Sequence, residues 1–279
     1  MKTLYVSDLD GTLLRSDERT SDYTNQIINE CVKKGMLFSY ATARSYHTSQ
    51  KVTKGLNAKI PLIVYNGVFI KDNVTGEIIK AHYFSEDIKL LIDELLENHI
   101  YPIVYAYIDN QEKFSFVEEK SSQGIMNFVM TRSGDSRMNP ILEQGLLYEG
   151  NIFYITCIDD YEKLLPFYKK YQDQYHCVFQ KDIYTQEQWL EFMPKSASKA
   201  NAVQQLKEYY QCDHVVVFGD GYNDQDMFQI ADECYAVSNA VEELKQMATD
   251  VIGHHDEDGV AKWLKQHTIL DKEGLLNDI

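Results

Sequence analysis

The sequence predicts an α/β protein, a parallel sheet with helices between its strands, interrupted midway by an α+β insert. Short apolar runs, each closed by a polar cluster, alternate with helical patterns at both ends of the chain. His214 to Phe218 is a near-continuous apolar run, as expected of a strand buried on both faces of a parallel sheet. Between about residues 83 and 188 the pattern changes to strand pairs mixed with helices, rich in Tyr and Phe. The 279 residues leave room for one large domain or two smaller ones, and a hydrophobic share of 44% is ample for a core.

The elements follow in order. Thr3 to Ser7 reads as a strand, closed by Asp8-Leu9-Asp10-Gly11-Thr12. Thr20 to Lys34 reads as a helix, with Ile27, Ile28, Cys31 and Val32 at helical spacing and Gly35 at the stop. Met36 to Ala41 is a second strand, followed by Thr42-Ala43-Arg44 and a helix from near Ser45. Pro61 to Tyr65 is a third, closed by Asn66-Gly67. A hairpin turns at Asn73 to Glu77. In the insert, helices are expected at Asp87 to Asn98, Ser121 to Met130 and Tyr161 to Tyr171. Its strands are expected at Ile100 to Ile108, Lys113 to Glu118, Asn151 to Ile158, His176 to Gln180 and Trp189 to Met193. Thr131 to Glu149 carries no clear pattern. The opening pattern then resumes with a helix at Lys199 to Tyr210, the strand His214 to Phe218, and Gly219-Asp220-Gly221-Tyr222-Asn223-Asp224. A helix at Asp226 to Ala231, two short strands and a helix at Val260 to Gln266 end the chain.

Charge and cysteine usage narrow the function. A formal net charge of −16 repels nucleic acid and anionic membranes, so neither is an expected partner. It also repels an anionic substrate unless a bound cation or local Lys and Arg reverse the sign at the site. Five scattered cysteines without a CxxC pair suggest neither a disulfide framework nor a zinc site. The first strand begins at once, without a signal peptide, and no apolar run approaches the ~18 residues of a membrane span. A cytoplasmic protein is expected.

Four polar clusters each follow an apolar strand, at Asp8, Thr42, Asn66 and Asp220. In an open parallel sheet, ligands bind beyond the carboxyl ends of the strands, so one edge can gather all four. Asp8 and Asp10 suit either a hard cation or an acid and nucleophile pair, because carboxylates this close do not both ionise cheaply. A plain Asp-Gly turn is the alternative. An EF-hand loop fails, because its sixth and twelfth positions would be Leu13 and Arg19. Asp220 and Asp224 would add to an acidic cup for Mg²⁺, or simply favour a helix N-terminus. Lys199, in the first turn of its helix, sits where a cation is mildly unfavourable and a phosphate would offset the cost; Lys195 is a rival. Thr42 and the Ala43 amide can donate to an anion, and Thr42 can equally cap a turn. Arg44 can reach a substrate anion or pair on the surface. His254, His255 and the Asp256-Glu257-Asp258 run read as surface.

These motifs, in this order, resemble those of the haloacid dehalogenase-like hydrolases. The matching residues are Asp8-Leu9-Asp10-Gly11-Thr12, Thr42, Lys199, and Gly219 to Asp224. Ala41 to Arg44, Asn66-Gly67 and the late insert resemble the Cof-type subgroup of sugar-phosphate phosphatases; the insert matches only in size and element order. The resemblance implies a Rossmann-like core, residues 1–82 and 189–279, with a cap at 83–188 of the C2B type, αββ(αβαβ)αββ. It implies a Mg²⁺-dependent phosphatase acting on small phosphorylated metabolites through an aspartyl-phosphate. Asp8 would be nucleophile and metal ligand. Asp10 would be acid, then base, with its main-chain carbonyl on the metal. Leu9, Thr42, Ala43, Lys199 and Asn223 would hold the phosphoryl group, Asp220 would bind the metal, and Asp224 would support it directly or through water. Arg44 and Asn66 are further candidates for substrate contact. A phosphotransferase or phosphomutase could use the same parts, and a non-catalytic phosphate sensor could keep the fold. Against the sensor, a binding module has no need of an acid two residues from a nucleophile.

Overall fold

The computed structural model describes residues 1–181 and 186–269. Strand β1 (Thr3–Ser7) leads through the Asp8 loop to helix α1 (Asp22–Lys33). Ser21 caps α1 by accepting the Thr24 amide at 2.9 Å, and the helix buries Ile27, Ile28, Cys31 and Val32. Strand β2 (Leu37–Tyr40), helix α2 (Tyr46–Val52) and strand β3 (Leu62–Val64) follow, then a hairpin of β4 (Phe69–Lys71) and β5 (Ile78–Ala81).

The middle of the chain forms a compact unit of its own, residues 82–197. It comprises α3 (Ile88–Glu97), β6 (Ile103–Ile108), β7 (Gln111–Val117), α4 (Gln123–Met130), β8 (Met138–Ile141), β9 (Asn151–Ile158), α5 (Tyr161–Tyr171), β10 (His176–Lys181) and β11 (Gln188–Met193). Its six strands run in the order β10-β11-β9-β6-β7-β8, antiparallel except for β7 beside β8. Leu91, Ile92 and Leu95 of α3 and Leu164 and Phe167 of α5 pack on one face against Val104, Ile155, Leu190 and Phe192. The expected boundary at 188/189 therefore cuts through a sheet strand, since β11 pairs with both β9 and β10. The unpatterned stretch 131–149 holds β8, whose pairing with β7 comes from across the sheet rather than from its own composition. A single short helical turn, Gln144–Tyr148, stands where the implied cap pattern has its second bracketed helix.

The chain then returns to the first unit with α6 (Lys199–Tyr209), β12 (His214–Gly219), α7 (Gln225–Ile230), β13 (Glu233–Val237), α8 (Glu242–Met247), β14 (Asp250–Ile252) and α9 (Gly259–Leu264). The sheet order is β14-β13-β12-β1-β2, all parallel, and Ala41 bridges in parallel to Ile63 of β3. Val215 to Phe218 are buried on both faces, as the apolar run predicts. From β1 the chain winds one way to β2, and from β12 the other way to β13. The sheet thus has its topological switch between β1 and β12, the place outside the carboxyl ends where open α/β sheets bind their ligands. No helix among the described residues is long and apolar enough to cross a membrane.

Candidate active site

Each strand places its polar cluster at that edge, and hydrogen bonds join the clusters. The Asp8 amide donates to Phe218 O at 2.9 Å, continuing the β1–β12 pairing into the loops. The loop turns at Gly11, whose φ is +75°. A Cβ there would lie 2.3 Å from Asp220 Oδ2, so both the turn and the close approach require glycine. Thr12 Oγ1 donates to Asp220 Oδ1 at 2.8 Å, and Asn239 Nδ2 to Gly11 O at 2.7 Å. Arg44 forks onto Asp10, Nε to Oδ2 at 2.8 Å and Nη2 to Oδ1 at 2.5 Å, and its Nη2 also reaches Glu18 Oε2 at 2.7 Å. The Arg44 amide donates to Thr42 Oγ1 at 3.1 Å.

The third cluster is pinned to the second. Tyr65, Asn66 and Gly67 all have positive φ, and the Asn66 amide donates to Thr42 O at 2.9 Å. Gly67 lies so close to the start of α6 that a Cβ would sit 2.1 Å from Ser198 O. Ser198 caps α6, and Lys199 in its first turn is buried. Lys199 Nζ donates to Asp8 Oδ1 at 2.5 Å and to Asp224 Oδ1 at 2.7 Å. Asp224 Oδ2 accepts the amides of Asp220 and Gly221, each at 3.0 Å.

Electrostatics sort these carboxylates. Burial pushes the Asp8 carboxyl well up against the attraction of Lys199, and Asp224, Asp220 and Asp10 push it the same way. Burial and the charge of Asp224 raise Asp220 to about 7, with Thr12 opposing. Lys199 stays firmly protonated; burial works against its charge, but Asp224 and Asp8 outweigh it. One lysine faces three carboxylates, so the cluster lacks positive charge. Asp8, Asp220 and Asp224 each bring an oxygen within 4.8 Å of the others, a donor set that fits a hard divalent cation.

The sequence-read residues come together unevenly. Asp8, Lys199, Asp220 and Asp224 form one hydrogen-bonded group. Thr42, Arg44 and Asn66 form a second, joined to the first loop through Asp10. The Asp10 carboxylate therefore sits on Arg44 and outside the metal-capable trio, and Arg44 pairs within the protein. Leu9 and Ala43 lie in the two loops that Arg44 ties together. Asn223 is half-buried, its Oδ1 folded back over Gly221. Lys195 instead donates to Gln172 O and is no rival to Lys199.

Sequence reasoning missed four residues. Thr12 orients Asp220 from within a motif already singled out. Asn239 follows β13 as the other clusters follow their strands, so the same rule points to it. Glu18 had no signal. Asp258 belongs to a run that reads as surface, yet it is 8% exposed and holds Arg15, Ser21 and Thr24.

A doubly wound sheet with one buried lysine among three carboxylates at its switch point is suited to phosphoryl-transfer chemistry. Residues 5–264 match the haloacid dehalogenase-like hydrolases, and the chain belongs to that family. Over 95% of its length it is 27% identical to the 5-amino-6-(5-phospho-D-ribitylamino)uracil phosphatase YwtE of Bacillus subtilis (strain 168), covering 98% of that protein. It is 28% identical to a putative phosphatase of Buchnera aphidicola subsp. Baizongia pistaciae, again over 95% of this chain and 98% of the other. The fold is like that of TM0651 from Thermotoga maritima, with a TM-score of 0.76 at 24% identity over 95% of this chain and 97% of that one. A haloacid dehalogenase-like hydrolase from B. subtilis gives a TM-score of 0.77 at 21% identity over 96% and 99%. The chain is an enzyme of the phosphoric monoester hydrolase class.

Proposed function

We propose that this enzyme is a Mg²⁺-dependent phosphatase that cleaves phosphate esters of small metabolites, sugar phosphates and phosphorylated polyols among them, through an aspartyl-phosphate on Asp8. The observation that carries this reading is the division between the two aspartates of one loop. Asp8 is buried against Lys199 beside Asp220 and Asp224, whereas Asp10 is set apart on Arg44. In the first step an Asp8 oxygen attacks phosphorus, the ester P–O bond breaks, and Asp10 gives its proton to the leaving oxygen. In the second, Asp10 takes a proton from water as it attacks phosphorus, and the bond to Asp8 breaks, releasing phosphate. Lys199, Thr42, the Leu9 and Ala43 amides and Asn223 hold the phosphoryl oxygens, since such transfer depends mostly on positioning and charge neutralisation. Asp8, Asp220 and the Asp10 carbonyl, with Asp224 directly or through water, would hold Mg²⁺, which would supply the positive charge that an anionic nucleophile needs to meet an anionic ester. The fork on Arg44 suits the carboxylate form of Asp10, the one that accepts the proton of water. The acid step needs Asp10 protonated, with Arg44 turned to Glu18 or to the substrate.

The test is phosphate release from a panel of sugar, polyol and nucleotide phosphates, with and without chelator. Asp8→Asn should abolish turnover. Asp10→Asn should lose ~10²–10⁴-fold on alkyl phosphates. On p-nitrophenyl phosphate it should give a burst of nitrophenol and a phospho-adduct seen by intact mass. Parent rates on both substrate types would remove Asp10 from the mechanism. Transfer to an added alcohol without phosphate release would mark a phosphotransferase, and binding without turnover a sensor.

A further inference from the structure

A second cluster of metal-ligating side chains lies outside this site, at His254, His255 and Asp256. One donor atom from each lies within 4.8 Å of the others. His255 Nε2 is 3.7 Å and His254 Nδ1 3.9 Å from Asp256 Oδ2. A tetrahedral ion with donors near 2.0–2.1 Å spaces them by about 3.4 Å, so modest contraction closes the site.

The hydrogen bonds prepare the donors. His255 Nδ1 lies 2.7 Å from Leu14 O. A carbonyl only accepts, so Nδ1 carries the proton, and in the neutral ring Nε2, on the Asp256 side, is the nitrogen left to ligate. A backbone carbonyl holding the far nitrogen is the usual outer support of a metal-bound imidazole. The ring is 12% exposed, and the His255 amide is fixed by Asn239 Oδ1 at 3.1 Å. His254 Nδ1 accepts the Asp256 amide at 3.2 Å, so this nitrogen is unprotonated, and a bound metal would take the place of that hydrogen bond. Ser16 orients the carboxylate, its amide donating to Asp256 Oδ1 at 2.8 Å and its hydroxyl to Oδ2 at 2.7 Å.

We propose that His254, His255 and Asp256 form a site for a divalent transition metal of the Zn²⁺ type, distinct from the all-oxygen cluster of Asp8. Two imidazoles and one carboxylate favour Zn²⁺, Co²⁺ or Ni²⁺ over Mg²⁺, which prefers oxygen donors. The partial exposure of His254 and Asp256 leaves the remaining position to water or to an outside ligand. An ion there clamps the 254–256 turn to Leu14 and Ser16, the segment that leaves the Asp8 loop.

The experiment is a Zn²⁺ titration of untagged protein in saturating Mg²⁺, followed by calorimetry and by the visible spectrum of the Co²⁺ form. The expected result is one bound equivalent, lost in His254→Gln and in His255→Gln. Ser16→Ala, which leaves both imidazoles in place, should weaken binding about tenfold. In the unaltered ¹⁵N-labelled protein, the His255 ring nitrogens should shift with Zn²⁺ and not with Mg²⁺, a readout independent of whether any variant folds. Absence of a bound equivalent overturns the proposal. So does an equivalent that survives both histidine substitutions, which would belong to the Asp8 cluster.

Discussion

At the scale of single residues, the site is held by side chains that serve one another. Thr12→Val keeps size and burial but removes the hydroxyl bond to Asp220. Loss of such a support typically costs 10–100-fold in metal affinity. The expected outcome is a Mg²⁺ activation curve shifted by about that factor, with little change in rate at saturating metal. Asp258 gives a pH prediction. Burial opposes its ionisation, but Arg15, Ser21 and Thr24 outweigh burial and hold the carboxyl below its usual range. The folded state therefore takes up this proton less readily than the unfolded chain. Its contribution is present above the unfolded value of about 3.9 and is lost as pH falls through the lower folded value. Asp258→Asn should cost about 1.5–3 kcal/mol at pH 7. The gap to the parent should close below about pH 4, as urea midpoints at several pH values would show. The motif residues were legible because strand ends in a parallel sheet collect polar groups. Asp258 was not, because its partners, Ser21 and Thr24, come from 237 and 234 positions away.

At the scale of elements, the hairpin entry Tyr65-Asn66-Gly67 fixes how α6 approaches β1. Gly67→Ala combines a φ of +94° with a Cβ 2.1 Å from Ser198 O, and so must displace the start of α6 that carries Lys199. Strain of this kind costs of order 1–3 kcal/mol. A lower melting temperature should come with a kcat loss larger than any change in KM, which steady-state kinetics on the purified variant would separate. Most elements could be read from periodicity, and β9 and α5 fall where the pattern puts them. The exceptions are instructive. The short strand β8 and the six-residue helix α8 carry too few apolar positions to show a period. Both owe their form to neighbours already in place, β7 for the one and β13 for the other.

At the scale of the whole molecule, the charge of −16 opposes the approach of any phosphate ester. Raising ionic strength shortens the reach of that field, to about 8 Å at 0.15 M. We therefore expect kcat/KM for a dianionic ester, at saturating Mg²⁺, to rise between 10 and 150 mM salt. A fall would mean that the local field of Lys199, Arg44 and the metal already dominates at long range.

The hydrogen bond between Ser196 Oγ and His82 Nδ1, at 2.7 Å, joins the two ends of the middle unit across 114 positions. It bears on how the chain first comes together. The central strand β1 is made at the outset, but its partner β12 is made near the end, and Lys2 meets Asp213 only after 211 positions. If the middle unit folds first, its stapled ends act as a short link, and the loop to be closed shrinks to roughly half. Closure entropy grows only as the logarithm of loop length, so this saves about 0.7 kcal/mol, roughly a threefold gain in encounter probability. The interruption of the core therefore delays its assembly far less than the distance along the chain suggests.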